Sequence, residues 1–114
     1  MKLKDHSTDS IVTLELGGKV MVCDELTAFR GKIQYYLDLN RRSFVVDLEH
    51  VDWMSSAGLG ALVSAYTSVQ KVGGRFALAN ITNIQNLLNV TQLARVFDSY
   101  DSRSDALRAV TSHL

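Results

Sequence analysis

Residues 43–74 read SFVVDLEHVDWMSSAGLGALVSAYTSVQKVGG, and this stretch decides the fold of the chain. Its first part, Ser43 to Leu48, is short, mostly apolar and rich in β-forming residues, which is typical of a strand covered on both faces. Residues 49–54 are predicted to form a connector. Apolar residues then recur at helical spacing until Gly73-Gly74, which favour the left-handed turn that ends a helix. The stretch therefore predicts a central strand followed by a helix over residues 56–72.

Strands and helices alternate on both sides of this unit. Residues 11–16 alternate between apolar and other side chains, as in a strand buried on one face, and Gly17-Gly18 is predicted to end that strand. Residues 2–7 form either a frayed terminus or an edge strand paired with it, and we favour the edge strand. A helix is predicted over residues 24–39, with Asp24 as its N-cap. Beyond residue 74 we expect strands over 75–80 and 96–100, a short helix around 84–88, and a terminal helix capped by Asp101 or Ser102.

Repeated strand-helix-strand units pair their strands in parallel through right-handed crossovers. A chain of 114 residues holds one hydrophobic core. We therefore expect one α/β domain over residues 1–114, with a mixed sheet of four to five strands and about four helices.

Composition argues against several classes of function. Twelve Lys and Arg balance twelve Asp and Glu, so no basic field exists that would attract nucleic acid. No apolar run reaches the roughly 20 residues that a membrane-spanning helix requires, so no direct membrane insertion is expected. A single cysteine, Cys23, and an N-terminal segment without a signal-peptide pattern predict a reducing, cytoplasmic setting.

Catalytic patterns are weak in this sequence. His6, His50 and His113 have no Cys or His partner at a metal-ligand spacing, so no metal is expected. A hydrolase nucleophile elbow requires Gly two positions before the serine, and Met54 stands there before Ser56. Gly58-Leu59-Gly60 lacks the other residues of a phosphate-binding loop, and we expect these glycines to let the helix pack closely on the sheet. The chain is predicted to be a non-enzyme without a cofactor.

Two adjacent hydroxyls join the predicted strand to the predicted helix. Ser55 or Ser56 can cap the helix, a role that needs no further function. Alternatively, a phosphoryl group at this position would add about −1.5 to −2 charges and repel a partner packed over it, while the helix dipole would tolerate the charge. Trp53 and Met54, and Met21 to Cys23, are core residues in the first interpretation and the apolar centre of a docking patch in the second.

Four segments, taken in order, resemble the STAS domain family, and specifically its stand-alone bacterial anti-sigma factor antagonists: residues 44–48, 51–62, 73–80 and 93–97. The resemblance implies a domain that sequesters an anti-sigma factor with serine kinase activity and so releases a sigma factor. It also implies inactivation by phosphorylation and restoration by a PP2C-like phosphatase. Alignment on Gly58-Leu59 places the phosphoacceptor at Ser56. The usual Asp before it is Ser55 here, which makes Ser55 an alternative acceptor.

The resemblance also implies which residues meet the partner. The predicted interface consists of Met54, Ser55, Ser56, Gly58 and Leu59, with Asp24, Met21 and Val22 as further candidates. An alternative function remains open at this point, because the same fold serves as a non-phosphorylated partner subunit in lipid-transport or other membrane-transport ATPase complexes.

Overall fold

The computed structural model describes residues 2–8, 11–20, 23–92 and 95–111, with only the backbone described at residues 8, 20 and 23–25. Strands and helices alternate after an initial strand pair. In chain order the elements are β1 (Lys2–Thr8), β2 (Ile11–Val20), α1 (Cys23–Asp38), β3 (Ser43–Met54), α2 (Ser56–Lys71), β4 (Arg75–Ala79), a 3-10 turn (Ile81–Ile84) that leads into α3 (Gln85–Val90), β5 (Asp98–Tyr100) and α4 (Arg103–Thr111).

The five strands form one mixed sheet in the order β1-β2-β3-β4-β5. The pair β1 and β2 is antiparallel, and every other neighbouring pair is parallel. The predicted α/β class, the mixed sheet and the four helices are confirmed. The predicted edge strand is confirmed as β1, and the predicted central position of the strand that begins at Ser43 is confirmed as well.

Helices cover both faces of the sheet. The larger core lies between the sheet and the pair α1 and α2, and its fully buried side chains include Phe29, Phe44, Leu14, Leu62 and Leu78. A smaller cluster lies on the opposite face under α4 and contains Val45, Ala77, Ala79, Ala106 and Val110. This cluster under α4 covers only part of the second face.

The prediction of a connector over residues 49–54 is wrong, because β3 continues to Met54. In this half of the strand the buried positions are three residues apart, Leu48, Val51 and Met54, and pairs of exposed residues lie between them. β3 carries one extra residue relative to β2 at two places, between Asp47 and His50 and between Val51 and Trp53. Each extra residue is a β-bulge, and two bulges turn the period of two into a period of three.

The same pairing extends the neighbouring strand. β2 runs to Val20, so the prediction that Gly17-Gly18 ends it is wrong. Gly17 pairs with His50, and Gly18, whose φ is 77°, pairs with Val51 just before the second bulge. Glycine adopts this left-handed conformation at low cost, so it bends the strand there without ending it.

The ends of two helices follow predicted signals, and the start of a third does not. Gly73 has a φ of 73° and its N–H donates to the Gln70 carbonyl at 3.0 Å, which ends α2 as expected. The Ser102 hydroxyl accepts from the Asp105 N–H at 3.1 Å and caps α4. α1 begins at Cys23, so Asp24 is the second residue of the helix and the prediction that Asp24 is its N-cap is wrong. The side chain of Asp24 lies outside the described part.

Two smaller predictions need correction. The last strand is Asp98–Tyr100 and leaves out Val96, which is exposed. Close packing does not explain Gly60, because a Cβ built at this residue would meet nothing within 4 Å. Gly74 is the glycine that permits close packing, since a Cβ there would lie 2.4 Å from the Arg42 carbonyl oxygen.

Candidate functional site

Ser55 lies between the end of β3 and the start of α2 and is the N-cap of the helix. Its backbone is extended, with φ −83° and ψ 170°. Its hydroxyl oxygen accepts from the Gly58 N–H at 3.1 Å, and its carbonyl accepts from the Leu59 N–H at 3.0 Å. These bonds satisfy donors that the first helical turn would otherwise leave without a partner. The capping role predicted for one of the two serines belongs to Ser55.

Ser56 is the first residue of α2, and its side chain is exposed. Among the residues that the structure describes, no hydrogen-bond partner of its hydroxyl is found. The first turn of α2 carries no acidic side chain. Of the two adjacent hydroxyls, one therefore holds the helix end and the other faces solvent at the positive end of the helix dipole.

The predicted interface residues separate into two layers. Met54 and Leu59 are each 4% exposed and Gly58 is buried, so these three lie beneath the site and hold Ser55 and Ser56 in place. They offer almost no area to a partner. Met21 and Val22 lie outside the described residues, as does the side chain of Asp24, and their proposed contacts stay predictions.

Trp53 supplies the apolar area that the buried residues do not. It is 50% exposed and is paired in register with Lys19 of β2. Since Met54 points into the core on the side of α1 and α2, the preceding Trp53 points to the opposite face of the sheet. The bulged backbone beneath it is supported by Asn83, whose amide donates to the Val51 carbonyl at 2.7 Å. The sequence left open whether Trp53 is a core residue or an exposed one. Pairing with Lys19 after the second bulge makes it exposed.

A buried polar network holds the other half of β3, and the sequence analysis missed it. Asp47 is 3% exposed and accepts from Arg103 Nε at 2.8 Å, Asn80 Nδ2 at 2.9 Å and the Glu49 N–H at 3.0 Å. Arg103 also forms an ion pair with Glu15. The signal in the sequence was one carboxylate within an apolar strand. Such a charge is tolerated only when it is paired and hydrogen-bonded.

Two further observations bear on the chemistry of the site. No group of three or more His, Cys, Asp or Glu side chains is placed to hold a metal ion within the described residues. No described helix is both long and apolar enough to cross a membrane.

Comparison with known proteins gives consistent results. A family model for the STAS domain matches residues 3–106. A Thermotoga neapolitana protein, named as a candidate anti-sigma factor antagonist homologue, is 33% identical over 76 residues, which cover 66% of this chain and 67% of that protein. An anti-sigma F factor antagonist of Paenibacillus polymyxa is 25% identical over 101 residues, covering 85% of this chain and 84% of the relative.

Solved structures show the same fold. The anti-sigma factor antagonist SpoIIAA in its unphosphorylated form superposes with a TM-score of 0.80 at 16% identity, covering 99% of this chain and 100% of that one. The phosphorylated form of Bacillus SpoIIAA superposes with a TM-score of 0.75 at 18% identity, covering 96% and 99% of the two chains.

Proposed function

Since this chain belongs to the STAS domain family, we propose that it is an anti-sigma factor antagonist that phosphorylation of Ser56 switches off. The observation that carries the proposal is the exposed Ser56 hydroxyl at the start of α2. The resemblance on Gly58-Leu59 assigns the phosphoacceptor to this residue. The names of the two relatives support the antagonist role. The protein acts by binding and has no catalytic role of its own.

Ser56 is the better acceptor of the two serines. The Ser55 hydroxyl is engaged as the helix cap, and a phosphoryl group on its oxygen would disrupt the bond from Gly58. Asp and Ser are both strong N-caps, so Ser55 supplies the hydrogen bond that the family's usual Asp would supply at this position. The departure from the family pattern therefore preserves the local structure around Ser56.

Phosphorylation would act on the complex and leave the domain folded. A phosphoryl group adds about −1.5 to −2 charges at neutral pH. The N-terminal end of α2 favours a negative charge, so the helix remains stable. A partner packed over Ser56 would bury that charge without a matched cation and lose affinity.

The partner in this proposal is an anti-sigma factor with serine kinase activity, of the histidine-kinase-like ATPase type. The unphosphorylated chain sequesters it and releases a sigma factor. ATP-dependent transfer of a phosphoryl group to the Ser56 oxygen then ends the complex and leaves ADP. A PP2C-like phosphatase hydrolyses the phosphoester and restores binding.

The test combines mass spectrometry with binding. The chain purified from its own host is fragmented across the peptide that contains Ser55 and Ser56, before and after phosphatase treatment. Each kinase-type anti-sigma factor of that bacterium is then titrated with wild type, Ser56→Asp and Ser56→Ala. We expect one phosphatase-sensitive phosphoryl group on Ser56 and loss of binding only for Ser56→Asp. Absence of both phosphate and binding, or stable association with a transport ATPase, would overturn the proposal.

A further inference from the structure

The face of α1 that points away from the sheet stays exposed in the part of the chain that the structure describes. Phe29, Ile33 and Tyr36 of this helix are buried in the larger core. Residues three or four apart lie on one side of a helix, so the exposed positions between the buried ones form a single opposite face. We call it the outer face of α1, and it consists of Ala28, Gly31, Tyr35, Asp38 and the following residue Leu39.

Tyr35 and Leu39 give the outer face an apolar patch. Tyr35 is 55% exposed and Leu39 is 51% exposed. The Leu39 N–H donates to the Tyr35 carbonyl at 3.3 Å, so the last turn of the helix places the two side chains next to each other. A large exposed aromatic residue beside an apolar one is typical of the anchor of a protein interface.

Gly31 leaves a hole in the outer face, one turn before Tyr35. No contact inside the described chain requires a glycine here, because a Cβ at Gly31 would meet nothing within 4 Å. A glycine inside a helix lowers its stability relative to alanine. It also leaves a shallow hole on the helix surface, and a bulky side chain of a facing helix fits into such a hole. The outer face therefore carries a tyrosine knob and a hole one turn apart.

Arg30 and Asp38 are two exposed charges on the α2 side of the outer face. Arg30 and Gln34 line the groove between α1 and α2, and Gln34 Nε2 donates to the Asp38 carboxylate at 2.8 Å. Within the residues that the structure describes, neither Arg30 nor Asp38 has a group of opposite charge within 4.0 Å. They lie about 12 Å apart along the axis, too far to pair within one helix. On the β1 side, by contrast, Lys32 is matched by Asp5 at 3.5 Å.

Two outer faces fit each other when the helices run antiparallel. If Tyr35 of one copy lies over Gly31 of a second copy, the two-fold axis passes beside Ile33, midway between them in sequence. The axis then creates the same contact a second time, with the copies exchanged. Leu39 of each copy lies within one residue of the level of Ala28 in the other, so these two rim positions meet as well.

The same register pairs the unmatched charges. Arg30 of one copy lies two residues, about 3 Å along the axis, from the level of Asp38 in the other copy. The two-fold axis keeps the α2 sides of both helices together, so each Arg30 reaches an Asp38 carboxylate and two ion pairs form. A parallel pair of helices would instead bring Arg30 of one copy beside Arg30 of the other.

We propose that two copies of this chain associate through the outer face of α1 as an antiparallel helix pair. A second copy is the occupant, because knob, hole, cation and anion all lie on one helix and match themselves under a two-fold axis. One helix of 16 residues is about 24 Å long, so the interface is small and we expect a weak dimer, with a dissociation constant on the order of 0.1 mM. This inference goes beyond the proposed function and does not depend on it, since Ser56 lies on α2.

The first experiment measures self-association of the full chain. Sedimentation equilibrium from about 10 µM to about 1 mM should show a reversible monomer–dimer equilibrium. In the ¹⁵N-labelled chain, dilution over this range should shift the amides of Gly31 and Tyr35 and leave the Trp53 indole, on the opposite face of the sheet, unchanged. A chain that stays monomeric at about 1 mM would overturn the proposal, whichever other protein covers α1.

Charge reversal tests the antiparallel register. Arg30→Asp sets two carboxylates against each other at both contacts, and Asp38→Arg sets two cations against each other, so each variant alone should be monomeric. An equimolar mixture of the two variants should form a heterodimer, because every contact then joins opposite charges. The double variant Arg30→Asp/Asp38→Arg should dimerise by itself. If wild type dimerises and the mixture does not associate, the dimer uses another face and this inference is wrong.

Packing variants test the knob and the hole. Gly31→Leu fills the hole and should weaken the dimer at least about tenfold, although leucine favours the helix more than glycine does. Tyr35→Ala removes the knob and should weaken the dimer by about tenfold. Val90→Ala, at a residue of α3 that is 82% exposed, is the matched apolar control and should leave the dissociation constant unchanged. Wild-type association of Gly31→Leu would contradict the proposal.

Discussion

The Tyr36 hydroxyl donates a hydrogen bond to the Asp5 carboxylate at 2.5 Å, and this bond joins the edge strand β1 to α1 across 31 residues of sequence. Lys32 of the same helix lies 3.5 Å from the other carboxylate oxygen. The hydrogen bond from Tyr36 is the main cause that lowers the pKa of Asp5 below its usual 3.8. The same bond, with burial, raises the pKa of Tyr36 to about 12.

These two shifts predict how stability depends on pH. A carboxyl group whose pKa is lowered by folding stabilises the fold at pH values above its pKa in the unfolded chain. That contribution is lost as the pH falls through the lower pKa of the folded state. The raised pKa of the Tyr36 phenol stabilises the fold at pH values below 10, the ordinary pKa of tyrosine. This contribution to the free energy of unfolding is lost as the pH rises from 10 towards about 12. Tyr36→Phe should therefore cost about 1.5 kcal/mol at pH 7. Urea unfolding of wild type and Tyr36→Phe at several pH values measures this difference in the free energy of unfolding. A cost that does not decline as the pH is lowered from 3.8 through the folded pKa of Asp5 would contradict the assignment.

The two serines of the candidate site should differ in their effect on stability. Ser55→Ala removes the cap on Gly58 and should lower the free energy of unfolding by about 1 kcal/mol. Ser55→Asp restores an acceptor and should recover most of that loss. Ser56→Ala, at an exposed hydroxyl, should stay within about 0.5 kcal/mol of wild type. Urea unfolding followed by the fluorescence of Trp53, the one tryptophan in the chain, tests all three. Equal losses for Ser55→Ala and Ser56→Ala would contradict the capping assignment.

The buried network predicts a large effect at Asp47. Asp47→Ala leaves the Arg103 guanidinium without its buried carboxylate and the Asn80 amide without its acceptor. Removing one partner of a buried ion pair costs about 3–5 kcal/mol, and the partial exposure of Arg103 places the expected value at the lower end. The double variant Asp47→Ala/Arg103→Met should recover part of the loss, which a double-mutant cycle measures. Losses that add independently would show that the two side chains do not act together.

The sequence predicts the parts of the fold that depend on regular periodicity. The stripe of α1, the apolar start of β3 and the glycine stop after α2 each follow a local rule, and each element lies where it was expected. The second half of β3 could not be predicted in this way. Its two bulges are set by pairing with residues of β2 that lie 32 to 34 positions earlier in the sequence, as in the pairs Glu15–Asp47 and Lys19–Trp53, and they replace the alternation that identifies a strand.

The candidate site, like the fold, could be predicted only in part from the sequence. The position of Ser56 at a helix start was evident, because a strand signal and a helix signal meet there. Which serine caps the helix depends on a hydrogen bond of 3.1 Å between side chain and backbone, and either residue fitted the pattern. The exposure of Trp53 and the burial of Met54 depend on the phase of a bulged strand, so no local rule could have separated these neighbours.

Gly60 offers a last test, because it lies four residues after Ser56 on the same exposed face of α2. A Cβ there meets nothing, so Gly60→Ala should stabilise the helix interior by about 0.5–1 kcal/mol. Gly74→Ala is the matched contrast, since its Cβ would overlap the Arg42 carbonyl, and we expect it to destabilise the protein. Thermal melts of both variants measure these effects.

The absence of a side chain at Gly60 then needs a reason other than stability. Residues that lower stability persist where function needs them, and a flat surface beside Ser56 would let a partner pack closely over that hydroxyl. Gly60→Leu should therefore fold at least as well as wild type and yet weaken binding of the anti-sigma factor by at least about tenfold, because the larger side chain holds the partner away from α2. Titration of the anti-sigma factor with wild type, Gly60→Ala and Gly60→Leu would show a graded loss. Wild-type affinity for Gly60→Leu would place the interface elsewhere on the domain.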